Sequence, residues 1–381
     1  MALLVLRSLA RKNIETTVAA EHNGALCFAS KYCRNRLHYP SPKESRSRFV
    51  KAMQKIIRKR RFDALFPISD WTIIPISENM REISPHVKTP LPEHETMQRT
   101  YDKSLTFKTA IEAGVPVPRT YFVKNLAELK GISKNASYPL VVKPRWSWVW
   151  NGEKATFRRP SYVNSAAELV RVYSTIHKQF AFPLVQEYIP GNNYSVAVLY
   201  SNSQPKAMCG IKVYRTFPVT GGNSVYRESA KLDPQLKEYA LRLLKALDWH
   251  GIAEVEFKLD SRDSVPKLME VNGRFWGSLE VAMAAGVDFP YLLYRLVVGD
   301  DVPQVSNYRL GVKCRWVEGD IQHLVSVMKT SLNGEGVHCA TRTRTLLDFF
   351  KLYESNLKYD CFYWDDPLPF FSVFYGLVKK K

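Results

Sequence analysis

Apolar and polar positions alternate most clearly from Gly251 to Ser278, read GIAEVEFKLDSRDSVPKLMEVNGRFWGS. Two short runs, Ile252 to Phe257 and Val265 to Val271, have the period of two that strands show. Asp260, Ser261, Asp263 and Ser264 lie between them as turn residues, so the pattern predicts a hairpin. Toward the N-terminus, strand-like and helix-like stretches alternate. Ala2 to Lys12 reads as a helix, Glu15 to Ala20 as a strand, Phe49 to Arg60 as an amphipathic basic helix, and Ala64 to Ile68 as a buried strand ending in SDW. That alternation predicts a small α/β domain with a parallel sheet over residues 1–92. The chain opens directly on a helix, so an expected first strand is missing or very short.

The pattern continues through residues 93–300. Asp102 is placed to cap a helix running through Glu112, with Gly114 ending it and Pro116 and Pro118 preventing its continuation. Leu140 to Val142 reads as a buried strand ending at Lys143. The stretch SWVWNGEKATFRR reads as a flexible, aromatic-rich segment turning at Gly152. Ser165 with Glu168 three residues on is a capping box for a helix to Phe180. Strands follow at Leu184–Val185, Tyr194 to Tyr200 and Lys206 to Val213, then a GGNS turn at 221–224. A helix from Leu236 to Leu247 precedes the hairpin, and another begins at Leu279. Residues 301–381 form a C-terminal extension with a strand at Arg315 and Trp316 and a helix around Ile321 to Met328. Arg315 reads either as a carboxylate-binding residue or as half of a structural salt bridge.

The hairpin carries candidate chemistry. Asn272 follows Glu270 by two residues, so on an extended chain both point to one face. Glu256 sits on the partner strand, and two carboxylates with an amide oxygen make a hard-oxygen site suited to Mg²⁺. Arg274 has the same parity and would hold a phosphoryl or carboxylate group. E-x-N is short and common, so spacing alone leaves an ordinary hairpin with a solvated polar face as the alternative. Lys103 stands in the first turn of a helix, a poor place for a cation unless it faces an anion. Lys143, at the mouth of an apolar strand, is placed to reach a phosphate or an acid. The strand-to-loop hinge Gln186, Glu187, Tyr188 and Ile189 offers backbone groups beside an apolar wall, which suits an adenine ring.

Composition narrows the class. A 381-residue chain with 45% hydrophobic and 24% charged residues is an ordinary folded protein, long enough for two or three domains. Its six scattered cysteines show no paired spacing, which predicts reduced thiols and a cytoplasmic location. No apolar run approaches a membrane span, and the N-terminal apolar stretch is too short for a signal peptide. The net charge is +19, and residues 31–61 hold twelve Lys and Arg against Glu44 alone. Such a segment can contact nucleic acid or an anionic membrane, or be a solvated helix face.

With these landmarks in order, the chain resembles the ATP-grasp superfamily. It is most similar to stand-alone predicted carboxylate–amine ligases and carbamoyl-phosphate-synthase-like proteins. The motifs that carry the resemblance are DK at 102–103, VVKPR at 141–145, QEYIPG at 186–191, GGNS, EF at 256–257 and EVNGRFWGS at 270–278. The resemblance implies an α/β pre-ATP-grasp domain followed by two α+β subdomains that clasp ATP. It implies that Lys103 and Lys143 hold phosphates, that residues 186–189 read adenine, and that Glu256, Glu270 and Asn272 bind Mg²⁺, or Mn²⁺ in its place. Arg274 would stabilise acylphosphate oxygens, and Lys212 would lie near the γ-phosphate. Two features depart from the pattern. GNNYSV follows the hinge where an acidic ribose ligand is usual, and tryptophans replace glycines after Lys143.

The chemistry implied is carboxylate activation by ATP, then capture of the acylphosphate by an amine, a C–N bond-forming ligase reaction. Small-molecule carboxylate and amine substrates are the expected partners, with homodimerisation left open. One alternative is an ATP-grasp protein without turnover that binds nucleic acid or a membrane through residues 31–61. Another is carbamoyl-phosphate or carboxylase chemistry.

Overall fold

The computed structural model describes residues 1–329, 342–351 and 354–379. Cys339 and the last two lysines of the C-terminal tail lie outside them. The organising element is a seven-stranded sheet. Its strand order is Pro266–Asn272, Gly251–Asp260, Gly191–Ser201, Gln204–Phe217, Asn223–Ala230, Lys313–Arg315 and Leu357–Tyr359. Neighbours are antiparallel except for the last pair. Period-two alternation gives this sheet two apolar faces. Val196, Val198, Val255 and Phe257 face a core with the helices Lys103–Glu112 and Pro234–Ala246. Ala197, Leu199, Ile211 and Ile252 face a second core with Ala2–Arg11, Leu279–Ala285 and Phe289–Val298. Fully burying a side chain such as Phe257 contributes about 2 kcal/mol, so both faces matter to stability.

A four-stranded antiparallel sheet runs in the order Thr120–Tyr121, Leu184–Glu187, Leu140–Lys143, Ser161–Val163. The helices Leu126–Asn135 and Ala166–His177 cover it through Leu129, Leu169 and Tyr173. The caps behave as their residues dictate. Asp102 Oδ1 accepts from Ser104 N at 2.9 Å, and Ser165 Oγ accepts from Glu168 N at 3.3 Å. Gly114 ends its helix at φ +67°. Gly191, at φ +134°, is obligatory: a Cβ there would lie 1.9 Å from Leu259 O.

Three expectations need correction. Ala64 to Ile68 is not a strand. Ala64 forms a single bridge to Lys88, and Pro67 has no N–H to extend a ladder. The next element is instead the helix Asp70–Glu78. The parallel sheet near the N-terminus has just two strands among the described residues, Thr17–Ala20 and Asn35–His38. The aromatic stretch after Lys143 is an ordered hairpin, Trp148–Asn151 with Lys154–Phe157, turning through Gly152 at φ +65°. Trp148 packs edge-on against Trp71 at 5.2 Å, and Glu153 accepts hydrogen bonds from Ser45 and Ser47 at the start of the helix Arg46–Lys59.

Cys27, Cys33, Cys209, Cys314 and Cys361 are free thiols. No single helix among the described residues is long and apolar enough to cross a membrane. Arg315 forms a buried salt bridge with Asp320 at 2.6 Å, which is the structural alternative.

Candidate active site

The hairpin register brings the predicted acidic residues together. Glu256 lies opposite Glu270 and Glu254 opposite Asn272, across adjacent antiparallel strands. Alternation then puts all four on one face. Asn272 Nδ2 donates to Glu256 Oε1 at 2.7 Å and to Glu254 Oε2 at 3.3 Å, so Oδ1 is the amide end left for a cation. Gly273, next along, admits Trp249 so closely that a Cβ would lie 2.3 Å from its ring.

Two lysines converge on the same strand. Lys103 Nζ is 3.0 Å from Glu270 Oε1 and 3.0 Å from Ser147 Oγ. Its backbone N–H donates to Arg145 O, and Arg145 pairs with the capping residue Asp102. The cation in the first turn is thus tied down at both ends. Lys143 Nζ donates to Met269 O at 3.0 Å and sits 5.2 Å from the centre of the Phe107 ring.

Burial sets the electrostatics. It pushes the Lys143 ammonium down to about 8, with Glu270 opposing and Lys103 adding to the fall. Glu256 rises well above the usual carboxylate range, first through burial and then through Glu254 and Glu270. Burial works on Glu270 in the same direction, but Lys103 and Lys143 outweigh it and its pKa is lowered. Glu254 is raised, chiefly by burial. The donor set fits a divalent cation, since buried carboxylates that repel one another gain most from a positive charge between them. Among the described residues no three His, Cys, Asp or Glu side chains form a closed cage. A cation here would therefore take further oxygens from a phosphate, as Mg²⁺ commonly does.

A cleft opens beside these groups, lined by Asp70, Tyr101, Lys103, Ser147, Glu270 and Arg274 among others. Arg274 Nε donates to Asp70 Oδ1 at 2.6 Å, and its Nη1 donates to Phe275 O at 3.1 Å.

The hinge is built but engaged. Gln186 is buried and donates to Thr120 Oγ1 at 2.8 Å. Glu187 exchanges bonds with Arg119, its N–H donating to Arg119 O and its Oε1 accepting from Arg119 N. Tyr188 N donates to Pro139 O, and Ile189 O accepts from Lys258 Nζ at 3.0 Å. Ile189 O keeps a second lone pair free to accept from an adenine amino group beside Lys258. Asn192 and Asn193 pair with Leu259 and Lys258 in the sheet.

Lys212 is not brought to the carboxylates. Its cross-strand partner is Tyr194, itself opposite Phe257, whereas Glu256 lies opposite Ser195. It therefore belongs to the other face of the sheet, 5.1 Å from the centre of the Tyr214 ring. Sequence reasoning missed Glu254, Asp70 and Ser147. Glu254 had a signal, since it precedes Glu256 by two residues and must share its face. Asp70, in the SDW stretch, and Ser147 come from distant parts of the chain, and nothing local ties either to this strand.

A family model described as "ATP-grasp in the biosynthetic pathway with Ter operon" matches residues 179–320. A D-aspartate ligase of Enterococcus faecium is 24% identical over 249 residues, covering 59% of this chain and 58% of its own length. A D-alanine–D-alanine ligase of Pelotomaculum thermopropionicum is 27% identical over 220 residues, covering 51% and 66%. The chain spans less than two thirds of either relative. The biotin carboxylase of Campylobacter jejuni superposes with a TM-score of 0.66 at 20% identity, over 82% of this chain and 72% of its own, which establishes a shared fold. The family match covers residues 179–320, and motif order, relatives and fold all resemble the ATP-grasp superfamily there and beyond.

Proposed function

We propose that the protein is an ATP-dependent ligase that activates a carboxylate as an acylphosphate and joins it to an amine. One observation carries the reading: Glu256, Glu270 and Asn272 converge on one sheet face with Lys103 and Lys143 beside them. Phosphoryl transfer needs positioning and charge neutralisation more than a protein nucleophile. This site consists of little else.

Lys103 and Lys143 hold the phosphates of ATP in this reading, the first anchored by Ser147 and the second by Met269 O. Glu256, Glu270 and the Asn272 amide oxygen hold Mg²⁺ or Mn²⁺, which supplies charge neutralisation at the transferring phosphoryl group. Arg274, kept at the cleft wall by Asp70, faces the oxygens of the acylphosphate. The attacking amine loses a proton and phosphate leaves, so an amide, ADP and phosphate are the products. Two relatives are named as ligases of amino acids, which makes amino acids the first substrates to try.

The test is Glu270→Gln, which keeps the shape of the side chain and removes its charge. We expect turnover to be abolished, with the circular dichroism spectrum and melting temperature close to wild type. Wild-type turnover in this variant would remove Glu270 from the cation site.

A further inference from the structure

The active site leaves the basic segment unexplained, and the structure shows how its charges are arranged. In the helix Arg46–Lys59, Phe49, Val50, Met53 and Ile57 are buried against Ile76, Ile83 and Val87. Arg48, Lys51, Lys55, Arg58 and Lys59 are all exposed. At 3.6 residues per turn they fall within about 100° of arc and extend over about 16 Å. Exposed Arg60 and Arg61 continue the row. Lys43 and Arg46 find acids, Glu21 and Glu78, but none of the seven cations from Arg48 onward pairs with an acid among the described residues. Like charges three and four residues apart destabilise a helix, so this row works against the fold that carries it.

The ridge is joined to the mouth of the cleft. Glu153, at the turn of the tryptophan hairpin, accepts from Ser45 Oγ at 2.8 Å and from Ser47 N at 3.1 Å, where the basic helix begins. Trp150 Nε1 donates to Pro42 O, and Ala155 N donates to Lys43 O. Through these contacts the row runs on to exposed Lys154 and Arg159 and to Phe157, which is 44% exposed. The same hairpin follows Ser147, a cleft residue.

We propose that this ridge docks single-stranded nucleic acid, its phosphates along the helix and a base against the hairpin aromatic. A row of unpaired cations leading to an aromatic platform is the arrangement by which single strands are held without sequence preference. A lipid surface fits less well. An interfacial helix inserts an apolar face, and the apolar face of this helix is already packed in the core. The docking goes beyond the ligase reading and stands or falls without it.

The probe is fluorescein-labelled oligothymidylate of about 20 nucleotides, titrated by anisotropy over a series of salt concentrations. Five phosphate contacts at about −0.7 each predict a log–log salt slope of about −3.5. The triple variant Arg48→Gln, Lys51→Gln, Lys55→Gln should bring the slope to about −1.4 while ATP binding stays at the wild-type value. Phe157→Ala should weaken binding about tenfold without changing the slope. The proposal is overturned by no binding at low salt, or by an unchanged slope in the triple variant. Tighter binding to a duplex of the same length, or capture by phosphatidylglycerol vesicles in place of the oligonucleotide, overturns it equally.

Discussion

Asp70 Oδ1 and Arg274 Nε lie 2.6 Å apart, a pair that spans 204 positions in sequence and joins the first residue of one helix to the end of the acidic hairpin. Both line the cleft. The carboxylate accepts from Nε and Phe275 O from Nη1, so the guanidinium is held in place at the cleft wall. Asp70→Asn keeps the shape and weakens a charge-assisted bond, which is worth about twice a neutral one. We expect kcat to fall about tenfold with ATP affinity unchanged, read from steady-state kinetics and a nucleotide titration. Lost ATP affinity at constant kcat would place Arg274 on the nucleotide, away from the reacting group.

Glu254 should act through Asn272. Its Oε1 accepts from Ser278 Oγ at 2.7 Å, and its Oε2 faces the Asn272 amide nitrogen. Turning that amide is how a residue behind a ligand tunes a metal site, typically by 10- to 100-fold in affinity. Glu254→Gln is expected to weaken Mn²⁺ binding by at least about tenfold, measured by electron paramagnetic resonance in the presence of ADP. Unchanged Mn²⁺ affinity would reduce Glu254 to a polar residue of the core.

Glu280 makes stability depend on pH. It is buried and accepts from Tyr363 OH at 2.6 Å, while its other oxygen has no partner among the described residues. Burial, reinforced by Asp360, pushes its pKa up to about 7 from an ordinary 4.5. The folded protein therefore binds the proton more tightly than the unfolded chain. The stability this contributes is complete below about 4.5 and is lost as pH rises through about 7. Denaturation midpoints should fall between pH 5 and 7.5, and Glu280→Gln should flatten that part of the profile. A wild-type slope in the variant would assign the effect to another group.

How much was legible follows from the range of each signal. The helix from Lys103 to Glu112 was readable because its cap, Asp102, and its stop, Gly114, are local. The acidic face of the hairpin was readable from alternation alone, and that same rule would have included Glu254. The tryptophan hairpin also carried a local signal. A glycine leading a two-residue loop between alternating aromatics is hairpin chemistry, which the reading of this stretch as a flexible segment passed over. Lys212 depended on one residue of parity relative to a strand whose register is set by long-range pairing. Asp70 was beyond reach for a different reason. Its helix contains Pro75, which argues against a helix locally, and its partner is two hundred residues away.

The central claim is carboxylate activation by ATP, and the most direct measurement is ADP release from ATP and Mg²⁺. Amino acids and small dicarboxylates would be offered singly and in pairs, with products identified by mass spectrometry. The account predicts release that depends on a particular carboxylate and amine together, with one amide and one phosphate formed for each ADP. Bound ATP with no release from any pair, or release with no new C–N bond, would contradict it.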